Sequence, residues 1–424
     1  HLEGASARDK EHAWRAFRGL ATKGATKPSR EAYRWIKGAG GWMCLPCGVA
    51  DPSSVPAIDE DGDERGDFLA DDLEANVSAQ IAAGVQGGTP GMLPLGDQHA
   101  VDGQASGWAK EWRCAAKYDA PSFPSHAITA LPLLCVAMLR MAFRSFPEGT
   151  GLGACNIGPR TFDRLSDDMV LALAALFHRC ENEGIWSLLL FVFIILLAKP
   201  DGGLRPIGLF PAIIRAWWRA RSSIARAWEA QHALPSLFGG AGMGAQRAAW
   251  LAAFEAEEVA RTQRLHHLTA LIDLVKAFER IPHSVLVAAA TKQHYPLTFI
   301  RLCLAAYRLT RTISVEGVFS APLWACRGIT AGSGSATTEL RILLQPLVES
   351  VLSQWSSAMC KLYVDDLTLA TVGDARAASC MLASIIDFVV CFFSAIGLEV
   401  NVRKSIIVGS VSYTHLTLPT NREV

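Results

Sequence analysis

The stretch Lys361-Leu-Tyr-Val-Asp-Asp-Leu-Thr-Leu-Ala370 decides the fold, because two short β-favouring runs flank a bare pair of carboxylates. This pattern predicts a hairpin with Asp365 and Asp366 at its turn. Adjacent carboxylates repel each other, so keeping both ionised at neutral pH requires a nearby positive charge. Oxygen ligands of this kind favour Mg²⁺ or Mn²⁺. The stretch therefore predicts either a metal-binding hairpin or an ordinary solvated Asp-Asp turn.

A further acid lies upstream in Leu271-Ile-Asp-Leu-Val-Lys-Ala-Phe-Glu279, where an apolar run delivers Asp273 to the end of a predicted strand. Side by side, the two strands would let Asp273, Asp365 and Asp366 hold two metal ions. Such a pair of ions stabilises the attacking and leaving oxygens in phosphoryl transfer. We therefore predict that Asp273 and Asp365 converge.

The chain resembles the reverse transcriptase domain of non-LTR retroelements over roughly residues 108–408. The two stretches above and the sequence blocks described below occur in the same order as the motifs of that family. Group II intron reverse transcriptases are more distant relatives. The resemblance implies that Asp273, Asp365 and Asp366 are catalytic metal ligands. It also implies that Tyr363 contacts the incoming nucleotide and that Phe278 blocks a ribose 2′-hydroxyl.

A separate sequence block resembles the motif that binds the triphosphate of the incoming nucleotide. Lys199-Pro-Asp-Gly-Gly-Leu-Arg-Pro-Ile-Gly-Leu209 resembles the fingers motif in which a Lys and an Arg, here Lys199 and Arg205, grip the triphosphate. The same letters fit a plain β-hairpin closed by Asp-Gly-Gly, and the two interpretations are compatible.

Two later blocks complete the resemblance. Arg327-Gly-Ile-Thr-Ala-Gly-Ser-Gly-Ser-Ala336 resembles the block that lies against template and nucleotide, and assigns nucleotide contact to Gly332. A plain helix-entry loop would use glycines too. Gly397-Leu-Glu-Val-Asn401, followed by Lys404-Ser405, resembles the motif whose Lys protonates the leaving pyrophosphate. The alternative for Lys404 is an ordinary surface lysine.

Two positions depart from the family's pattern. The template-contacting block usually carries a Gln before its Gly, where this chain has Ala331. The segment entering the fingers, here residues 150–160, usually has an Asp where this chain has Cys155. Loss of the amide at residue 331 puts template grip and fidelity in question, whereas all three metal carboxylates are present.

The formal net charge of the 424 residues is zero, but the charge is unevenly spread. Between residues 199 and 226 one acid, Asp201, faces six basic residues: Lys199, Arg205, Arg215, Arg219, Arg221 and Arg226. This basic strip fits a surface that follows a phosphate backbone, with Trp217 and Trp218 stacking on bases. It also fits an amphipathic helix with a solvated Arg face, in which burial is the preferred interpretation of the tryptophans.

Composition divides the chain into four parts. Residues 1–107 form a leader, basic and then acidic, that is expected to be largely disordered. Residues 108–265 form a fingers-like region and residues 266–411 the palm. Residues 412–424 resemble a translated sequencing adapter and are expected to be non-native. The chain would then stop just past Lys404, so the thumb is expected to be missing.

The cysteines and the apolar segments of the chain indicate where in the cell the protein is expected and whether it binds zinc or a membrane. Cys44 and Cys47 have the spacing of half a zinc ribbon, but no second pair follows, so a structural zinc is not expected. The 11 cysteines lack framework spacing, which together with the absence of a visible secretion signal favours an intracellular location, nuclear or cytoplasmic. The apolar run 188–198 is shorter than the about 20 residues that cross a bilayer, so a buried strand and no membrane partner are expected.

Apolar periodicity predicts helices over residues 283–308, 335–352 and 375–396, and strands over residues 312–315 and 323–327. With the hairpin at residues 365–366, this predicts an α+β fold: the fingers and palm of a right-hand polymerase, with an antiparallel palm sheet backed by helices.

The resemblance implies an RNA-directed DNA polymerase that uses Mg²⁺ or Mn²⁺, an RNA template, a DNA primer and deoxynucleoside triphosphates. Protein partners are not indicated. An RNA-dependent RNA polymerase is one alternative, but it typically keeps an Asp where Phe278 stands and a Gly where Val364 stands. A decayed or domesticated copy that only binds nucleic acid is the other, suggested by Ala331 and Cys155. The sequence leaves this second alternative open.

Overall fold

A computed structural model of the protein describes residues 97–113, 120–199, 203–239, 243–262, 265–315, 318–409 and 416–417. All of them belong to the second of two compact units, Glu64–Val424. The expectations for the leader before residue 97, including Cys44 and Cys47, lie outside this part of the chain. So does the tail that follows residue 409, apart from residues 416–417.

The helices and strands follow one another in a mixed order. The helices are α1 (Gln98–Glu111), α2 (Val136–Arg144), α3 (Asp167–Glu183), α4 (Ala212–Gln231), α5 (Ala245–Thr262), α6 (Ala277–Arg280), α7 (His283–Lys292), α8 (Leu297–Tyr307), α9 (Ala336–Gln354) and α10 (Ala375–Ala395). The strands are β1 (Phe191–Ala198), β2 (Leu204–Leu209), β3 (His266–Ile272), β4 (Thr310–Val315), β5 (Val318–Phe319), β6 (Met359–Tyr363), β7 (Asp366–Gly373), β8 (Ile406–Gly409) and β9 (Leu416–Thr417).

The larger sheet has the strand order β6-β7-β3-β8-β9, and every pair in it is antiparallel. Alternate residues of its strands, such as Ile272, Leu367 and Leu369, are buried, because successive side chains of a strand point to opposite faces. Helix α10 packs on β7 and β3, and α9 packs on β6. This confirms the predicted mixed fold with an antiparallel sheet backed by helices.

The smaller sheet has the order β2-β1-β4-β5. The hairpin of β1 and β2 pairs Leu197 with Arg205, and β1 runs parallel to β4. Helix α4 follows β2 directly. The sheet thus carries Arg205 on a hairpin strand that continues into a buried helix.

Helix boundaries follow local chemistry. The Ser166 hydroxyl accepts the amide of Met169 at the start of α3, and Gly184, at φ 70°, ends that helix. Helix α10 begins at Asp374, whose carboxylate accepts the amides of Arg376 and Ala377. By length and composition α10 could cross a membrane, but its buried residues, among them Leu382 and Phe393, pack against the larger sheet.

Three predicted element boundaries differ from the structure. The helix expected over residues 283–308 is two helices, since Pro296 interrupts the hydrogen-bond ladder between α7 and α8. Beyond residue 319, Leu323 makes only an isolated bridge to Arg311 instead of a strand. The buried strand expected from residue 188 begins at Phe191, while Leu188 and Leu189 are 94% and 89% exposed.

Two expectations near the fingers need correction. Helix α1 crosses the leader boundary predicted at residue 107, and it buries Val101, Ala105 and Trp108 in the core. The basic strip is not a continuous surface, because Arg215 and Arg221 are buried in α4 together with Trp217 and Trp218. The tryptophans are core residues, as the amphipathic-helix interpretation expected.

The buried Arg221 is neutralised inside the protein. Its Nε and Nη2 donate to the two carboxylate oxygens of Glu181 in α3, each at 2.7 Å. The indole of Trp217 donates to Glu181 as well, at 2.7 Å. Arg221 therefore ties α4 to α3 and is not available to a phosphate backbone.

Candidate active site

The hairpin at residues 363–366 turns through two residues. Tyr363 pairs with Asp366, leaving Val364 and Asp365 in the turn. Val364 has φ 59°, the left-handed region that a β-branched residue rarely occupies and that costs about 1 to 3 kcal/mol. The strain is held by backbone bonds at the hairpin's edge, where Leu362 bonds to Ser236 and to Phe238 at 2.8 Å each. The predicted hairpin is present, but its turn lies one residue earlier than predicted, at Val364 and Asp365, and Asp366 is the first residue of β7.

Asp273 directly follows β3. The β3–β7 register pairs Ile272 with Leu367, so the next position along β3, Asp273, lies beside Asp366. Residues directly opposite in antiparallel strands point to the same face. The structure thus brings Asp273 beside Asp366, the first residue of β7, and places the Val364-Asp365 turn at the same end of the larger sheet.

The charges of neighbouring carboxylates act on Asp365 and Asp366. Burial, reinforced by the charges of Asp366 and Asp273, raises the pKa of Asp365 to about 6. Burial and the charge of Asp273 raise the pKa of Asp366 as well. Repulsion within such a group is relieved by a cation.

Arg205 supplies a positive charge nearby, since its attraction opposes the rise in pKa of both Asp365 and Asp366. Arg205 is exposed on β2, and Lys199, at the far end of the same hairpin, is half-buried. The backbone amide of Lys199 donates to the Gly203 carbonyl at 2.7 Å, which closes the hairpin. These two cations thus belong to one hairpin, as the sequence predicted.

Phe278 lies in the one-turn helix α6, five residues after Asp273. Its ring is half-buried and packs against the core. Its carbonyl accepts the amide of Ile329 at 2.7 Å, so the block at residues 327–336 is bonded directly to the segment after Asp273.

Glu279, next to Phe278, is an acid that sequence reasoning quoted without giving it a role. Burial raises its pKa, the charges of Lys199 and Lys276 oppose that rise, and Asp365 adds to it. Lys199 and Asp365 are therefore both close enough to Glu279 for their charges to act on it.

The segment at residues 397–405 braces Asp273. The Asn401 amide group donates to Asp273 Oδ2 at 2.9 Å, and the Ser405 hydroxyl accepts the Asp273 backbone amide at 3.1 Å. Lys404 is exposed in the turn between them, with its backbone amide bonded to the Asn401 carbonyl. Asn401 and Ser405 stood in the quoted block, but no signal in it marked them as partners of Asp273.

Gly332 has φ 100°, and a Cβ there would collide with the carbonyl oxygen of Gly208 on β2. The Gly208 amide in turn donates to the Ala331 carbonyl at 2.7 Å. The space left at Gly332 is therefore filled by the protein's own backbone. Ala331, where a Gln is usual, packs against Ile207 and Leu209.

A buried polar network supports the same block. Glu339 in α9 accepts hydrogen bonds from Tyr307 at 2.7 Å and from Ser335 at 2.8 Å, and Ser333 is bonded to Tyr307. Burial raises the pKa of Glu339 to about 7, although these hydrogen bonds favour the ionised form. The network anchors the loop that carries Gly332.

Cys155, the other departure, has a structural partner. Its sulfur accepts the amide of Ala212 at 3.3 Å, at the start of α4. An Asp would be a stronger acceptor at a helix N-terminus. Cys155 thus contacts the start of α4 through its sulfur.

Within the described ranges, no three His, Cys, Asp or Glu side chains are grouped closely enough to hold an ion as they stand. The donor chemistry nevertheless fits Mg²⁺, because the neighbouring carboxylates of Asp273, Asp365 and Asp366 offer only oxygen atoms as ligands. Placed beside two cations, such a group can bind a metal–triphosphate complex.

Comparison with known proteins gives a family match. The family model described as reverse transcriptase (RNA-dependent DNA polymerase) matches residues 197–418. Similar solved structures include telomerase from Candida tropicalis in complex with a TWJ fragment of telomeric RNA, at 12% identity and TM-score 0.42, over 59% of this chain and 46% of that one. Telomerase from Candida albicans with the same kind of fragment gives 13%, 0.41, 59% and 47%. The chain thus spans about half the length of these telomerases, and no curated protein matches it.

Proposed function

Because the chain belongs to the reverse transcriptase (RNA-dependent DNA polymerase) family, whose model covers more than half of it, we propose that it is the DNA-synthesising domain of a retroelement. Its reaction is the transfer of deoxynucleotides to a primer 3′ end, copied from an RNA template. The observation that carries this proposal is the register that aligns Asp273 beside Asp366, with Arg205 acting electrostatically on both acids of the turn.

In this proposal Asp273, Asp365 and Asp366 hold Mg²⁺ or Mn²⁺. Bound there, the metal would favour the deprotonated primer hydroxyl and neutralise charge on the transferred phosphoryl group. Asn401 orients Asp273 through its hydrogen bond, so that one carboxylate oxygen stays directed at Asn401.

Lys199 and Arg205 bind the triphosphate from the β1–β2 hairpin. Phe278 excludes a ribose 2′-hydroxyl, while Tyr363 and the Gly332 loop border the nucleotide. Lys404, exposed beside the segment bonded to Asp273, supplies a proton to the leaving pyrophosphate.

Primer extension tests the proposal. An RNA template annealed to a DNA primer, with deoxynucleotides and Mg²⁺, should yield template-length DNA, and chelation of the metal should stop it. RNA product from ribonucleotides would instead favour an RNA polymerase. Template binding without any product would favour a decayed copy, which Ala331 and Cys155 would then explain.

A further inference from the structure

Helix α1 lies outside the residues that match the family, yet its last turn contacts the segment that carries Phe278. Glu111 Oε1 is 3.0 Å from Lys276 Nζ, and Glu111 Oε2 accepts from Arg280 Nε at 3.2 Å. One turn earlier, the Trp108 ring lies 4.4 Å from the same Lys276 ammonium. One helix therefore contacts both ends of the short segment 276–280.

The segment 276–280 needs such support. Lys276 has φ 48°, an unfavourable backbone conformation for a residue with a side chain. Only one turn of helix follows, in which the Glu279 and Arg280 amides both donate to the Lys276 carbonyl at 3.1 and 3.2 Å. A single helical turn is not stable by itself, so its shape depends on the contacts around it.

Glu111 is a partly buried carboxylate that balances the positive charges of Lys276 and Arg280. Burial opposes its ionisation, but hydrogen bonds from Lys276 and Arg280 prevail and lower its pKa, so it is ionised at neutral pH. Arg280 also bonds to Glu399 at 2.6 Å, but Glu399 is 67% exposed, and exposed ion pairs contribute little. The carbonyl of Glu111 accepts from Arg327 Nε at 2.7 Å, which ties the helix to the glycine-rich block as well.

We propose that Glu111 is a positioning residue: it fixes segment 276–280 against α1, which packs on β4 and β5 of the smaller sheet, and thereby holds Phe278 in place for sugar selection. Glu111 acts through Lys276 and Arg280 rather than through substrate. The sugar-selection part rests on the proposed function, whereas the fixing of the segment does not.

Hydrogen exchange measures the fixing without requiring activity. Glu111→Gln should speed exchange of the Glu279 and Arg280 amides by about tenfold, because a charge-assisted contact is lost. Glu183→Gln is the matched control, since Glu183 also pairs with an arginine, Arg179, at 2.7 Å on the surface of α3. Exchange in segment 276–280 should not change in this control. Equal exchange in Glu111→Gln and the unmodified chain would overturn the proposal, even in a protein that does not polymerise.

Nucleotide selection measures the consequence. Glu111→Gln should raise KM for deoxynucleotides and the ratio of ribonucleotide to deoxynucleotide incorporation each by about tenfold, while kcat changes by less than about threefold. Lys276→Met should have a similar effect, and the double variant should be little worse than either single one, because the two residues share one interaction.

A merely structural role predicts a fall in the fraction of active enzyme at an unchanged incorporation ratio. Faster exchange combined with an unchanged ratio in an active enzyme would therefore overturn the positioning role. An unmodified chain that makes no product would refute the proposed function separately, and the exchange result would still decide whether Glu111 fixes the segment.

Discussion

Asn401 holds Asp273 by two hydrogen bonds: its side-chain amide donates to Asp273 Oδ2 at 2.9 Å, and its backbone amide donates to the Asp273 carbonyl at 2.8 Å. One residue thus fixes both the backbone and the carboxylate of a proposed metal ligand. In the proposed function, the carboxylate's other oxygen, Oδ1, would bind the cation. Partners of this kind set how well a ligand is oriented.

Removing the side chain of Asn401 should therefore impair catalysis more than folding. Asn401→Ala is expected to lower kcat by about ten- to a hundredfold and to raise the Mg²⁺ concentration needed for half-maximal activity. Steady-state primer extension over a Mg²⁺ titration measures both. Asn182→Ala, at an exposed position of α3, is the control. Normal activity in Asn401→Ala would show that Asp273 needs no such partner.

Asp365→Asn should abolish extension while leaving template binding nearly intact. In the proposed function, template binding depends on the basic residues of the fingers, whereas catalysis depends on the carboxylates. Extension and RNA binding are measured on the same preparation, with Asp387→Asn, exposed on α10, as the control. Equal loss of both activities would indicate misfolding instead.

Phe278→Ala or Phe278→Val should admit ribonucleotides while sparing much of the deoxynucleotide activity. A 2′-hydroxyl against the ring would meet an apolar surface without a hydrogen-bond partner. If Phe278 is only a core residue, the Ala variant should lose about 3 to 5 kcal/mol of stability and keep its sugar preference. The incorporation ratio before and after the substitution distinguishes the two, and an unchanged ratio in a folded, active variant would remove Phe278 from the site.

Glu339 should make stability fall as pH rises. The pKa of Glu339 is about 7 in the folded protein, against 4.5 for an unperturbed Glu. Between pH 4.5 and pH 7 the folded protein therefore keeps Glu339 protonated while the unfolded chain ionises it. Ionisation above pH 7 then carries the full cost, at most about 3 kcal/mol for a shift of this size. Glu339→Gln should accordingly be more stable relative to the unmodified chain at pH 8 than at pH 4.5. Urea unfolding at the two pH values measures the difference, and a pH-independent difference would contradict it.

Arg221→Met should destabilise the protein by about 3 to 5 kcal/mol, because it leaves the buried Glu181 carboxylate without its counter-charge. Arg226→Met, at an exposed position of the same helix, should change stability by less than about 0.5 kcal/mol. Chemical unfolding compares the two. A weakened salt dependence of RNA binding in a fully stable Arg221 variant would restore the basic-strip interpretation.

Local patterns predicted the local structure well. The hairpin around Asp365 was predicted from two β-favouring runs that flank a pair of acids, and the helix α10 was predicted from apolar periodicity. Both signals act within a few residues. The break before α8 was missed because apolar periodicity continues across Pro296, although the proline itself was the available signal. The strand start predicted at residue 188 was wrong, because a run of apolar residues does not show which of them lie outside the sheet.

Side-chain partnerships across the chain were beyond the sequence. Asn401 and Asp273 are separated by 128 positions, and Glu111 and Arg280 by 169. No local pattern encodes such contacts, since they depend on how the sheet and α1 come together. The left-handed conformation of Val364 was likewise unforeseen, because a valine rarely adopts it and the supporting bonds come from residues 236–238.

The two glycines that meet at Gly208 and Gly332 have a mechanical consequence. The β1–β2 hairpin and the loop that begins α9 touch backbone to backbone, with a hydrogen bond from Gly208 to Ala331. A side chain at either position would push the two segments apart, whereas the glycines let their backbones stay in direct contact. The base of the hairpin, which carries Arg205, is therefore held against the loop that begins α9. In the proposed function these two segments border the nucleotide, so the backbone contact would keep the spacing between them constant.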